Sequence, residues 1–308
     1  MTLLELNTHI EDGTIDEVIR VAECSQRKEL GKFADRICAA SGVRLILLAG
    51  GSSSGKTTTA KRLSTQLRVN GKEVMYLSTD DYFVGDARNP RDERGNFDYE
   101  HVKCVDIERL SADINALFAG EMILERRFDF VNHVPVYSGR MISLSEGAYV
   151  ILEGIHALNP MLTGGVDESC KFRIYIAPRP SIDVFGGITP KPEEARFLRR
   201  LVRDHHFRKI NPAETLKMWP NVLEGEKKWI EPFKGTADCE FDSYLVYEMA
   251  VLKFYAGGLL ERLRREVGTV TMVQNMIRLL APITPIGAAK VPGDSILRET
   301  IGGSQLDY

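Results

Sequence analysis

Apolar residues follow two rhythms along this chain. Short runs that are apolar at nearly every position recur as "VRLILLAG" (43–50), "KEVMYLS" (72–78) and "YVILEG" (149–154), while "FRIYIA" (172–177) alternates before ending apolar. Such runs are too short for ordinary helices, and segments buried on both faces and separated by helical stretches are what a parallel α/β sheet produces. The stretches between them have helical spacing. Residues 14–40 bring Ile15, Val18, Ile19, Ala22, Leu30, Phe33 and Ile37 round to one side, and residues 57–71 do the same with Ala60, Leu63 and Leu67 before an Asn70-Gly71 stop. The Pro/Gly-containing stretch "APRPSIDVFGGITPKP" (177–192) is the clearest break. Beyond it, the pattern predicts a charged helix from Glu193 to about Lys209, a second opening at Asn211 with Pro212 in its first turn, and helices over 243–266 and 270–281. The rhythm fades after Pro282. The expected organisation is a helical preface (1–40), a main α/β domain (41–282) and an irregular tail (283–308).

Composition narrows the class. The 308 residues, 44% apolar, suffice for an ordinary buried core. A net charge of −3, from 40 basic and 43 acidic residues, argues against a standing nucleic-acid or anionic-membrane surface. The cysteines at 24, 38, 104, 170 and 239 are odd in number and widely spaced, so neither a disulfide framework nor a zinc knuckle is expected. "MTLLELNTHIEDG" has acidic residues where a signal peptide needs basic ones, and no apolar stretch approaches a membrane span. The expectation is a cytoplasmic protein with a small-molecule partner, neither nucleic acid nor membrane; a homo-oligomer stays open.

The chemistry starts at residue 50. Gly50-Gly51-Ser52-Ser53-Ser54-Gly55-Lys56-Thr57 fits G-x-x-x-x-G-K-[ST], directly after an apolar strand and directly before an amphipathic helix. Glycines let backbone N–H groups turn inward around an anion, the helix N-terminus adds positive dipole, Lys56 reaches the β- and γ-phosphates, and the Thr57 hydroxyl suits Mg²⁺. With Thr58 continuing the loop into its helix, this predicts a nucleoside triphosphate site. A guanine-specific N-K-x-D is missing, Asp183-Val184-Phe185-Gly186 matches the loose D-x-x-G only within the Pro/Gly break, and "IGGSQ" (301–305) has the wrong order for an ABC-type signature. Kinases and miscellaneous ATPases remain.

Two further strand ends bring acids to the same edge, since the carboxyl ends of parallel strands form the ligand crevice. "LSTDDYF" delivers Asp80 and Asp81, either able to accept a substrate hydroxyl's proton, to hold a metal-bound water, or simply to cap a helix. "YVILEGIHAL" delivers Glu153 to the place of a Walker-B acid.

The ordered set "GGSSSGKTT", "STDDYF", "NFDYE", "FDFVNH", "VILEGIHAL" and "RRLVRDHHFR" resembles the uridine kinase/phosphoribulokinase P-loop superfamily, most of all its bacterial uridine kinase-like nucleoside kinases, over about residues 40–255. The resemblance implies a nucleoside monophosphate kinase-like α/β fold, with a central parallel sheet flanked by helices and a helical lid over about 186–236, and ATP and Mg²⁺ as cofactors. It implies catalytic roles for Asp80, Lys56, Arg200 and Arg203, with Arg208 on the nucleotide; of the acid pair it favours Asp80 as the base. It places the acceptor against Asp80, Tyr82, Phe97, Asp98, Phe128, Phe130 and His133, with Asp98 bonding the ribose hydroxyls, and the metal at Thr57 and Glu153. Core packing is the plainer reading of the two phenylalanines, and a hairpin loop that of His133. Arg196, Arg199, Arg200 and Arg203 share one broad helical face, which a solvated helix would also show. His205-His206 lacks partners at metal-ligand spacing. The segment 218–238 departs from uridine kinases and matches a bacterial subgroup whose acceptors need not be uridine. The expected activity is phosphorylation of the 5′-hydroxyl of uridine or cytidine, against a kinase of another sugar or polyol, or a non-catalytic ATP-binding regulatory module.

Overall fold

The computed structural model describes residues 1–93, 95, 97–184, 189–268 and 270–307. Two N-terminal helices, α1 (Leu3–Glu11) and α2 (Ile15–Ala39), precede β1 (Leu45–Ala49), the phosphate loop, α3 (Lys56–Val69) and β2 (Val74–Ser78). Then come α4 (Ile107–Phe118), β3 (Ile123–Asp129), β4 (Val134–Ile142), β5 (Tyr149–Glu153), α5 (Pro160–Thr163) and β6 (Lys171–Ala177). The C-terminal half holds α6 (Pro192–Phe207), α7 (Pro212–Trp229), α8 (Glu231–Lys234), β7 (Cys239–Asp242), α9 (Glu248–Val267), α10 (Thr271–Leu280) and α11 (Arg298–Ile301).

Five strands form one parallel sheet in the order β2-β5-β1-β6-β7. β1 is central and every one of its side chains is buried, which is why "LILLA" reads as a continuous apolar run. The order reverses at β1, and in open α/β sheets a crevice opens at such a switch point, outside the carboxyl ends of the strands. Leu48 of β1 pairs in register with Glu153 of β5, and Ser78 of β2 with the same glutamate. Pairing therefore aligns the phosphate loop and both acidic strand ends on one rim.

Helix α2 is built into this core. Leu30, Phe33 and Ile37 pack with Ala60, Leu63 and Leu67 of α3 over one face of the sheet. A buried polar link adds to the contact: Arg62 of α3 lies 3.4 Å from Glu23 of α2, and Tyr247 donates its hydroxyl to Glu23 at 2.7 Å. Helix α6, within the segment expected as a lid, has Ala195, Phe197, Leu198, Leu201 and Val202 in the core with α9. Expected lid residues 186–188 lie outside the described residues, as does the end of the D-x-x-G match.

Helix α1, within the expected helical preface, is opened by a Thr2/Glu5 capping box. The tail past Pro282 is irregular apart from short helical turns and α11, but it is packed, with Ile283, Ser295, Ile296 and Leu297 all but inaccessible. Among the described residues no helix is long and apolar enough to cross a membrane.

Candidate active site

The phosphate loop is shaped by close approach. A Cβ on Gly50 would lie 2.2 Å from the carbonyl oxygen of Ile176, so only glycine lets the loop leave β1 against β6. Ser53 and Gly55 take left-handed conformations, at φ 58° and 88°, and Gly55 caps α3. Lys56, first residue of that helix, donates from Nζ to the Gly51 carbonyl at 3.1 Å.

Behind the loop, α6 supplies a brace. Arg199 is buried between Glu248 at 2.6 Å and the Ser243 carbonyl at 2.8 Å, and also donates to the carbonyls of Ser53 and Ser54. Arg196 pairs with Glu226 at 2.7 Å and lies over Trp219. These two arginines therefore hold the loop from behind. Arg200, Arg203 and Arg208 line the crevice instead, and all three gather on Asp204, which has no exposed surface. Arg200 also donates to the Ser52 hydroxyl at 2.8 Å. Burial and the adjacent Arg203 push Arg208 down to about 10, still cationic at neutral pH. A lone Asp inside a basic segment is the only sequence signal for Asp204, and sequence reasoning passed over it.

On the rim, Glu153 is 4% exposed and accepts through Oε1 from Tyr76 (2.8 Å), Ser78 (3.1 Å) and Thr57 (3.3 Å). Burial, then the neighbouring Asp80 charge, pushes its carboxyl up to about 7. Asp80 stands in a short turn after β2, its N–H held by the Ser78 hydroxyl. Burial raises its carboxyl too, while Lys56, Arg208 and Arg203 draw it back. Two acids close enough that the Asp80 charge raises Glu153, beside a threonine hydroxyl, form a hard-oxygen set, the chemistry that suits Mg²⁺. Among the described residues no group of three or more His, Cys, Asp or Glu could hold a metal alone. Mg²⁺ in phosphate-loop proteins needs only one or two such ligands, with phosphates and water completing its shell, so the residues fit.

Away from the loop, the crevice widens into a cavity of about 1140 Å³. One wall is aromatic: Phe83, Phe128 and Phe130 meet edge to face at 5.1–6.2 Å. His133 sits at the tip of the β3–β4 hairpin at φ 55°, 3.5 Å from Asp86. Gly85 lets that tip close in, since a Cβ there would meet the His133 carbonyl oxygen at 2.8 Å. Asp81 lies on the same side, 3.4 Å from Arg127.

Three expected acceptor residues are elsewhere. Tyr82 is 2% exposed and donates to Asp113 at 3.0 Å, because the turn that presents Asp80 points the next aromatic inward. Phe97 packs against Tyr99 and the Arg91 guanidinium. Asp98 turns its carboxylate into its own loop, accepting from the Glu100 N–H at 3.2 Å. Tyr99 and Glu100 line the cavity in their place. Glu100 is pushed up to about 7 by burial, with Arg200 and then Lys56 opposing.

That shift has a consequence for stability. A carboxyl whose proton is held more tightly in the folded state favours folding fully below its unfolded value, and the advantage is lost as pH rises through about 7. Glu100→Gln should therefore stabilise the protein at pH 8 by on the order of 2 kcal/mol, with the gain shrinking toward pH 5. Thermal melting at the two pH values checks this, and equal melting of variant and wild type at pH 8 would contradict it.

The tail also lines the cavity, through Arg298, Glu299, Gly302, Gly303, Ser304, Leu306 and Asp307. Polarity in that tail gave no sign of this placement.

Comparison with known proteins agrees with the fold and the loop. The sequence profile described as the Phosphoribulokinase / Uridine kinase family matches residues 45–249. A uridine kinase of Deinococcus deserti is 30% identical over 195 residues, covering 63% of this chain and 84% of that protein. A uridine kinase of Staphylococcus haemolyticus is 29% identical over 196 residues, covering 63% and 84%. Among solved structures, a provisionally named fructose transport system kinase of Silicibacter sp. TM1040 superposes with a TM-score of 0.50 at 19% identity, over 68% of this chain and 98% of that one. That likeness concerns the fold alone.

Proposed function

Since this chain belongs to the phosphoribulokinase / uridine kinase family of ATP-dependent kinases, we propose that it transfers the γ-phosphoryl group of ATP to the 5′-hydroxyl of a pyrimidine nucleoside, uridine or cytidine. One observation carries this reading. One cavity is lined by Lys56 and Thr57, by Asp80, and by Phe83, Phe128, Phe130 and His133. It brings together a phosphate cradle, a half-buried acid and a flat-ring surface, the three parts that donor, reacting hydroxyl and base require.

In this reading the triphosphate lies in the loop, with Lys56 on its β- and γ-phosphates and backbone N–H groups around it. Mg²⁺, held by Thr57 and Glu153, would supply charge neutralisation on the phosphates. Asp80 orients the acceptor hydroxyl and takes its proton as the oxygen attacks; burial raises its proton affinity, and the three nearby cations oppose that rise. Arg200, Arg203 and Arg208, fixed by Asp204, face the charge spread over the transferred group, and their rigidity saves reorganisation during the reaction. Phe83, Phe128 and Phe130 give the base an edge-and-face pocket, and Glu100 is the carboxylate turned toward the sugar diol.

Incubation with Mg-ATP and, in parallel, uridine, cytidine, sugars and polyols, followed by phosphorus NMR of the products, tests the proposal. A nucleoside 5′-monophosphate is expected. A phosphorylated sugar or polyol as the only product would keep the phosphoryl transfer and overturn the acceptor.

A further inference from the structure

The family match ends at residue 249, yet the cavity does not. The C-terminal segment lines it as well, through Arg298, Glu299, Gly302, Gly303 and Ser304, and that segment is firmly anchored. Asp294 pairs with Arg27 of α2 at 2.8 Å. Arg298 donates to the carbonyls of Ala288, Val291, Pro292 and Gly302, tying the chain on either side of α11 into one loop. Ile296 comes within 2.8 Å of where a Cβ of Gly55 would stand. The Thr58 hydroxyl donates to Glu299 at 2.9 Å.

These contacts fix a direction. In a phosphate loop the lysine faces the β- and γ-phosphates while the backbone at the start of the following helix cradles the α-phosphate, so the nucleoside leaves from that end. Thr58 follows the Lys56-Thr57 pair, and it is Thr58 that touches the tail. Beyond it stands Phe207, the last residue of α6, which lines the cavity with 54% of its surface exposed. Gly302 runs beside the ring: a Cβ there would lie 3.1 Å from Cζ of Phe207. Gly302 and Gly303 carry no side chain to cover the phenyl face. An aromatic ring left exposed inside a cavity, next to bare backbone of the same segment that Thr58 contacts through Glu299, is a stacking surface for a flat heterocycle.

We propose that Phe207 and the tail segment 296–304 form the nucleoside end of the donor site, with the base of the nucleoside triphosphate stacked on Phe207 beside Gly302 and Gly303. The assignment rests on the phosphate-loop reading. Its tail part, 296–304, lies outside the matched family region, whereas Phe207 lies within it, and the assignment makes this tail a wall of the site.

Calorimetric binding of ATP and of inorganic tripolyphosphate, in the presence of Mg²⁺, separates base recognition from phosphate recognition. Phe207 is exposed, so Phe207→Ala should fold normally; a second variant ending after Ile301 removes the bare segment and keeps its buried anchors. Both should weaken ATP at least about tenfold while tripolyphosphate stays within about twofold, and Phe207→Trp should restore ATP binding. Parallel losses for the two ligands, unchanged ATP affinity, or tighter ATP binding by the shortened chain would each overturn the assignment; the last would make the segment a plug. Wild-type protein that binds neither ligand would overturn the phosphate-loop reading and this inference with it. Binding of both without any nucleoside phosphorylation would strike only the acceptor.

Discussion

Lys56→Ala is expected to lower kcat/KM for phosphoryl transfer by about 10³-fold or more, equivalent to ~4 kcal/mol of transition-state stabilisation. The lysine stands at the first position of α3, and among the described residues its one hydrogen bond goes to the Gly51 carbonyl. It is poised over the loop and carries no fold contact that a triphosphate would not replace. It also opposes the charge of Asp80, Glu153 and Glu100. Losing it removes the cation that follows the migrating charge and leaves these three acids less compensated. Steady-state ADP release checks the rate, and circular dichroism checks that α3 persists. Ordinary turnover in the folded variant would remove the nucleotide from this loop.

Asp80→Asn should give the second largest effect, a fall in kcat of about 10²–10⁴-fold with nucleotide affinity changed only a few-fold. Asparagine keeps the shape and the N–H contact to Ser78 but cannot take a proton. The substitution also relieves the repulsion with Glu153, so the variant should melt no lower than wild type while turning over far more slowly. This split between stability and rate is the signature of an acid kept for chemistry. Equal losses in nucleotide affinity and kcat would place Asp80 among the binding groups and leave the base unassigned.

Much of the architecture was legible because it follows from periodicity. A strand buried on both faces must read as "LILLA", and helices that cover it must repeat every three to four residues, so β1, α2, α3, α6 and α9 follow from the pattern with small boundary differences. The loop and the two acidic strand ends were legible for the same reason, since topology carries any residue just past a parallel strand to one rim. Side-chain direction was harder. Tyr82 and Phe83 are neighbours, yet one anchors in the core on Asp113 and the other faces the cavity, and motif matching had selected the first. Asp98 and Glu100 divide in the same way. A helical face containing four arginines could not show that Arg196 and Arg199 brace the loop from behind while Arg200 and Arg203 face the crevice through Asp204. The tail was the largest omission. Its order comes from long-range packing of Ile296 and Leu297 and from the Arg298 carbonyl contacts, none of which leaves a local period.

The central claim is that the cavity couples a bound triphosphate to an acceptor alcohol through Asp80. The most direct measurement is ADP release from Mg-ATP by the wild-type protein, with and without uridine, beside Asp80→Asn under the same conditions. The account predicts uridine-stimulated release in the wild type that disappears in the variant. Release that is indifferent to every nucleoside and sugar offered, or stimulation that survives in Asp80→Asn, would contradict it.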